Sequence, residues 1–437
     1  MTPHLADSRH AWLRLAAALA LMTLGSSAMY VVSVVLPAVQ AEFGVPRAGA
    51  SMPYTALMIG FGLGGLAMGR LADRVGVMWP VLIGSGGLGL GYVLAAQADG
   101  IAGFGLVHGV LLGLLGSSAT FGPLVADTTL WFVRRRGIAV AICASGNYLA
   151  GALWPPVVQW AVEGYGWRSA YLGLGIACAV LMPLLALALR ARPPLPAPVS
   201  AAGGAVGGSP VGPAGAAAAA VAQRPFGLHI HLAQALLCVA GVACCVAMSM
   251  PQVHIVAYCG DLGYGAARGA QMLSLMLACG IVSRLVSGWI CDRIGGLRTL
   301  LLGSTLQGVA LLLFVPFDSL VSLYVISALF GLFQGGIVPS YAIIVREHFP
   351  AAQAGWRVSM VLMCTLLGMA LGGWMSGKVF DLTGSYDAAF WNGIGWNALN
   401  LAIVLFLLAR SRGAGRGAAG PHPPRGIKPL PAPSASS

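Results

Sequence analysis

Apolar residues fill the chain in long runs, broken by short polar segments that carry glycine, proline and charge. Each run reaches about 20 residues, the length a helix needs to cross roughly 30 Å of hydrocarbon at about 1.5 Å per residue. Twelve such runs are centred near Met22, Ile59, Gly87, Leu112, Gly146, Ala177, Val242, Leu277, Val309, Leu332, Leu366 and Ile403. Period-two alternation is missing, so these are helices and not barrel strands. The pattern predicts an all-α integral membrane protein with twelve transmembrane helices.

Composition agrees with the pattern, at 58% hydrophobic and 8% charged residues in 437. The charges then set an orientation. With both termini cytoplasmic, nineteen of the 24 Lys and Arg fall on the inner side. Arg47, Arg168, Arg268 and Lys378 fall outside, and Arg284 lies within a span. An excess of this kind in short loops marks the cytoplasmic side. The net charge of +12 therefore reads as topology and not as a nucleic-acid footprint, which needs a soluble basic face. The nine cysteines lie in or beside spans without paired spacing, so neither disulfides nor a metal site are expected. The first apolar run continues past Val35 without a cleavage pattern and is expected to remain as a helix.

Residues 191–226 are rich in Pro, Gly and Ala and hold no acidic residue, which is the composition of a flexible linker. Six spans precede it and six follow. The halves match at an offset of 219: "GRLADRVG" at 69–76 falls on "GWICDRIG" at 288–295, placing Asp73 on Asp292 and Arg74 on Arg293. The same shift lays "EFGV" at Glu42 over "DLGY" at Asp261, and "GYGWRSAY" at Gly164 over "TGSYDAAF" at Thr383. An even number of spans per half implies parallel repeats related by an axis along the membrane normal, an arrangement suited to two bundles rocking about a site between them. The expected units are an N-terminal bundle at 1–190, the cytoplasmic linker at 191–226, a C-terminal bundle at 227–411 and a disordered cytoplasmic tail at 412–437.

Within this frame Arg284 is the anomaly. It lies eight residues before Asp292, about 12 Å from the inner end of span 8 and near the midplane. A guanidinium there is unfavourable by about 2.5 to 3.5 kcal/mol even on the lenient insertion scale unless a partner offsets it. Gly280 and Gly288 stand at i−4 and i+4 with Ser283 and Ser287 beside them, a stripe that tolerates a polar neighbour. The planar fork of arginine matches a carboxylate. Snorkelling to the interface and a structural ion pair are the competing readings. All twelve acids fall at loops or helix ends, which leaves a substrate anion as the partner of choice.

The loop "GRLADRVG" resembles the hallmark of the major facilitator superfamily, approximately G-x-L-a-D-r-x-G-r-k. Gly69, Leu71, Asp73, Arg74 and Gly76 match it, while Val77 and Met78 replace the usual basic pair. A narrower resemblance, in "WFVRRRGIAVAICASGNYLAG" at 131–151 and "HIVAYCGDLGYGAARGAQMLSLMLACGIVSRLVSGWICDRIGG" at 254–296, is to the monocarboxylate porter and oxalate/formate exchanger branch. It implies the major facilitator fold, alternating access and a substrate-binding role for Arg284. Gating would fall to Gly69, Asp73, Arg74, Gly76 and Asp127 with Gly288, Asp292 and Arg293. Asp127, at the inner end of span 4, is expected to pair with Arg74 or the Arg134 cluster. Relatives that carry a further lysine in span 1 or span 11 are not matched, which points to a single-cation site.

Tyr30, Asn147, Tyr148 and Gln334 lie deep in spans 1, 5 and 10, either lining the cavity or bonding helix to helix. His108 and His254 are the intramembrane groups that could couple protons. Pro155 and Pro156 offer bends to span 5. No Walker loop, H-E-x-x-H or G-x-S-x-G context appears, which argues against a pump or a membrane enzyme. The expected protein is a monomeric, multi-pass secondary transporter of a cell membrane, the bacterial inner membrane, with no cofactor. It would move a small organic anion, a monocarboxylate, by proton symport or by exchange with a counter-anion. Efflux of amphipathic compounds is the alternative.

Overall fold

The computed structural model describes residues 7–132, 134–191, 225–350 and 353–418. Most of the expected linker, 192–224, and the end of the expected tail, 419–437, lie outside the described residues.

Among the described residues, twelve helices are long and apolar enough to cross a membrane. In chain order they are α1 (Arg9–Phe43), α2 (Arg47–Val75), α3 (Met78–Ala96), α4 (Ile101–Trp131), α5 (Gly137–Tyr165), α6 (Trp167–Leu189), α7 (Ile230–Asp261), α8 (Ala266–Ile294), α9 (Gly296–Leu313), α10 (Leu320–His348), α11 (Ala354–Thr383) and α12 (Tyr386–Ser411). No strand occurs among the described residues. Helix satisfies every backbone donor internally, which hydrocarbon demands. The last helix continues to Ala418, past the boundary at 411.

Six helices form each bundle, and an even count leaves the start of α1 and the end of α12 on one side, here the terminal face. The opposite side is the far face. The repeat shows in the backbone: Gly76 after α2 and Gly295 after α8 both turn with positive φ, 93° and 82°. Each amide donates to the carbonyl four residues back, Ala72 and Cys291, at 2.8 Å. A glycine ends the helix because a Cβ is strained at that φ.

Several helices depart from regular geometry. The first breaks at Ser26, and α10 breaks at Gly335 and Gly336. A wide π-helical stretch runs from His108 to Gly116 in α4, then tightens into a 3-10 turn at Ser117–Thr120. Span 5 stays helical across Pro155 and Pro156. Pro156 has no N–H, so it leaves the Ala152 carbonyl without its helical donor, and Ser274 of α8 supplies a hydroxyl instead.

The bundles meet along α2 with α11, α5 with α8, and α1 with α7. Polar contacts between them cluster from the far face to mid-depth. Arg47 pairs with Asp261 at 2.7 Å, Thr55 donates to the Ala370 carbonyl at 2.9 Å, and Arg284 donates to the Ala144 carbonyl at 2.9 Å.

At the terminal face Asp127 departs from its expected pairing. Asp127 pairs with neither Arg74 nor Arg134. It accepts both Nε and NH2 of Arg14 at 2.9 Å, inside the N-terminal bundle, with the Arg14 guanidinium 4.6 Å from the Trp131 ring centroid. Burial explains the preference, since Arg14 is 3% exposed and would otherwise be an unpaired charge in an apolar setting. The hallmark loops there are open. A Cβ on Gly69 or Gly288 would meet nothing within 4 Å, so neither marks a close helix approach. Asp73, Arg74 and Asp292 are exposed, while Arg293 lies 3.6 Å over Trp289.

Candidate functional site

Arg284 sits at the seam between the bundles, half-buried on α8. Its NH1 donates to the Ala144 carbonyl of α5, and its guanidinium carbon lies 4.7 Å over the Tyr148 ring. Its Nε is buried and has no hydrogen-bond partner. No carboxylate pairs with it among the described residues. The charge is thus held by a carbonyl dipole and a ring face, and neither neutralises it.

Two glycines make this packing possible. A Cβ on Gly280, one turn before Arg284, would lie 2.5 Å from Cε1 of Tyr148, so the bare backbone lets the tyrosine reach the arginine. A Cβ on Gly151 would lie 2.9 Å from the Tyr30 ring. We expect Gly280→Ala to displace the Tyr148 ring and to weaken ligand binding several-fold with little loss of stability, since alanine favours helix. Ligand titration by tryptophan fluorescence alongside thermal melting would show that split; unaltered binding would count against the Tyr148 contact.

The sequence candidates fall into two groups. Tyr30 donates to Asn147 Oδ1 at 2.9 Å, and Asn147 Nδ2 donates to Ser26 Oγ at 3.2 Å, which ties the break in α1 to α5 next to Tyr148. Tyr30, Asn147, Tyr148 and Arg284 therefore form one constellation across α1, α5 and α8. Gln334, on α10, is bonded away from this constellation. Its Oε1 accepts from Gln252 Nε2 of α7 at 2.9 Å, and its own Nε2 is buried without a partner. The next residue touches the site from behind: a Cβ on Gly335 would lie 2.9 Å from the Arg284 amide nitrogen. Its own amide donates to Ser283 Oγ at 3.1 Å.

The histidines lie elsewhere. His108 is enclosed in the N-terminal bundle, with Nδ1 2.7 Å from the Phe104 carbonyl and Nε2 3.1 Å from the Tyr171 hydroxyl. Phe104 and Tyr171 pack against its ring, so both nitrogens are occupied and no path to Arg284 is evident. His254 faces the far-side seam. Its Nε2 lies 2.8 Å from the Gly373 carbonyl, and its Nδ1 is buried without a partner.

Sequence reading missed Gln252 and Ser26, which are common polar residues in apolar runs with nothing local to single them out. It also missed Gly280 as the seat of Tyr148, because the contact joins residues far apart in the chain.

The sequence pattern of the Major Facilitator Superfamily matches residues 15–355 and 273–434. Over 322 residues the chain is 29% identical to monocarboxylate transporter 13 of Rattus norvegicus and 30% identical to that of Bos taurus, covering 73% of this chain and 71% of each relative. It is 28% identical over 371 residues to monocarboxylate transporter 12-B of Danio rerio, covering 79% and 75%. Among solved structures, the peptide transporter POT superposes with a TM-score of 0.69 at 16% identity, covering 92% of this chain and 95% of that one. A bacterial homolog of the human lysosomal transporter Spinster, in an inward-facing conformation, superposes with a TM-score of 0.66 at 14% identity, covering 93% and 96%. At these identities the structural likenesses carry the fold alone.

Proposed function

This chain belongs to the major facilitator superfamily, and on that premise we propose that it moves a small monocarboxylate across the membrane by alternating access, with Arg284 receiving the carboxylate. One observation carries the reading. Arg284 is a half-buried guanidinium at the seam of the two bundles, with no carboxylate partner among the described residues and with Nε unbonded. A substrate carboxylate would accept a forked pair of charge-assisted bonds there and supply the missing negative charge. Similarity to the monocarboxylate transporters supports the same substrate class.

Tyr30, Asn147 and Tyr148 would orient the bound acid from the N-terminal bundle, and the unpaired Nε2 of Gln334 would approach it from α10. Ligand contact with both bundles is what links binding to their relative motion. Exchange of two anions needs no titratable group in the pathway. Proton symport would work through His254 or the far-face carboxylates, because His108 is enclosed by its own bundle. Reconstituted protein should accumulate labelled monocarboxylate into vesicles against a preloaded counter-anion, or down an imposed pH gradient. Failure of every small monocarboxylate in both formats would remove the reading.

The terminal face is assigned to the cytoplasm, from the nineteen basic residues expected on the inner side. A cysteine at Tyr165, exposed at the far end of α5, should react with a membrane-impermeant thiol reagent in intact cells. One at Arg190, beyond α6, should react only after permeabilisation. The reverse pattern would invert the assignment.

A further inference from the structure

The seam between α2 and α11 holds a contact that belongs to neither the hallmark loops nor the Arg284 site. The α2 helix starts at the far face with Arg47, and the first backbone amides of a helix have no acceptor within it. Asp381, near the far end of α11 in the other bundle, supplies one. Its Oδ1 accepts the Arg47 amide at 2.7 Å and its Oδ2 accepts the Ala48 amide at 2.8 Å. A carboxylate bonded to two orphan donors at the positive end of a helix is favoured by both the bonds and the dipole.

Two further features hold the helix end in place. Arg47 NH2 pairs with Asp261 at the end of α7 at 2.7 Å, and its guanidinium carbon lies 5.0 Å from the Phe380 ring centroid. Gly377, one turn before Asp381, permits the approach: a Cβ there would lie 2.9 Å from the Ala48 nitrogen and 3.0 Å from its Cα. The obstruction is backbone, so it cannot yield by a side-chain rotation. The repeat is broken at this point. Glu42 is equivalent to Asp261 by the offset of 219, yet it pairs inside its own bundle with Arg168, whereas Asp261 pairs across the seam.

We propose that Asp381 is the far-face latch of the transport cycle. Its carboxylate caps α2 when the far side is closed and releases it when that side opens. Gly377 is the site that allows the latch to seat, and the Arg47 to Asp261 pair is its second attachment. Asp381 and Asp261 remain exposed on their outer sides, so water can take over their hydrogen bonds on release. The latch rests on alternating access within the family fold and not on which anion is carried.

Hydrogen–deuterium exchange of the full-length protein in lipid nanodiscs, without substrate, reads this directly, because the latched groups are backbone amides. Asp381→Asn leaves one acceptor oxygen and no charge. It is expected to raise exchange about tenfold in peptides covering 47–58 and 370–386, and to lower exchange at the terminal-face ends of α4, α5, α10 and α11. Tenfold corresponds to about 1.4 kcal/mol in the opening equilibrium. Gly377→Ala wedges the same contact from α11 while favouring helix, so it gives the same signature if the asparagine variant does not fold. Unchanged exchange in 47–58, or an equal rise at both faces, would overturn the latch; the second result would mark Asp381 as a general stabiliser. Loss of monocarboxylate transport in the parent protein would bear on the substrate and leave this measurement untouched.

Discussion

Replacing Arg284 with glutamine is expected to weaken binding of the carried acid about ten- to hundredfold, with the folded protein otherwise intact. Charge-assisted hydrogen bonds contribute about 1.5 to 3 kcal/mol each, and about 1.4 kcal/mol is a factor of ten. Glutamine removes both the fork and the charge. Lysine keeps the charge and loses the planar pair, so Arg284→Lys should fall between the two. The guanidinium also donates to the Ala144 carbonyl across the seam, a bond that lysine can make as a single donor. Binding measured by a ligand-induced thermal shift separates these outcomes from unfolding, because only the folded state binds. Wild-type affinity in well-folded Arg284→Gln would refute the anion-binding role. Transport of amphipathic compounds through the same seam would then be the better reading.

The largest effect on stability is expected at the buried pair of Arg14 and Asp127. Asp127→Ala leaves Arg14 with its Nε and NH2 donors unpaired at 3% exposure, beside the Trp131 ring. Breaking a buried pair from one side is destabilising by about 3 to 5 kcal/mol, since the remaining charge stays desolvated. Removing both charges is a smaller perturbation, so Arg14→Met with Asp127→Leu should recover most of the melting temperature. Thermal melts of Asp127→Ala, Arg14→Met and the double variant in detergent test this. If the double variant melts as low as Asp127→Ala, the pair is not the source of the loss. The same comparison rejects a partnership of Asp127 with Arg74 or Arg134, since those residues are unchanged in every variant.

Much of the architecture was legible along the chain. Hydrophobic runs of about 20 residues announce membrane helices because hydrocarbon leaves the backbone few alternatives. The offset of 219 announced two equivalent bundles, and Gly76 and Gly295 confirm it with the same turn. Arg284 stood out because a charge in an apolar run needs a partner wherever the helix ends up.

What neighbours in sequence could not determine was which long-range partner each polar group would take. Arg14 and Asp127 are 113 residues apart, and the Arg47 amide and Asp381 are 334 apart. Both Arg14 and Arg47 look like ordinary interfacial charges, and only packing buries the one in its bundle and sets the other against α11. Ala144, Ala152 and Gly280 carry no side-chain signal at all. Their roles come from carbonyls and empty space, which acquire meaning once α5 and α8 are laid together. Sequence alone determined the helices, their number, their twofold repeat and the one charge lacking a local partner, because each follows from local solvation in hydrocarbon. Tertiary structure decided that Tyr148 lies against Arg284, that His108 is sealed within its bundle and that Asp381 caps α2, because those contacts depend on which helices meet and at what depth.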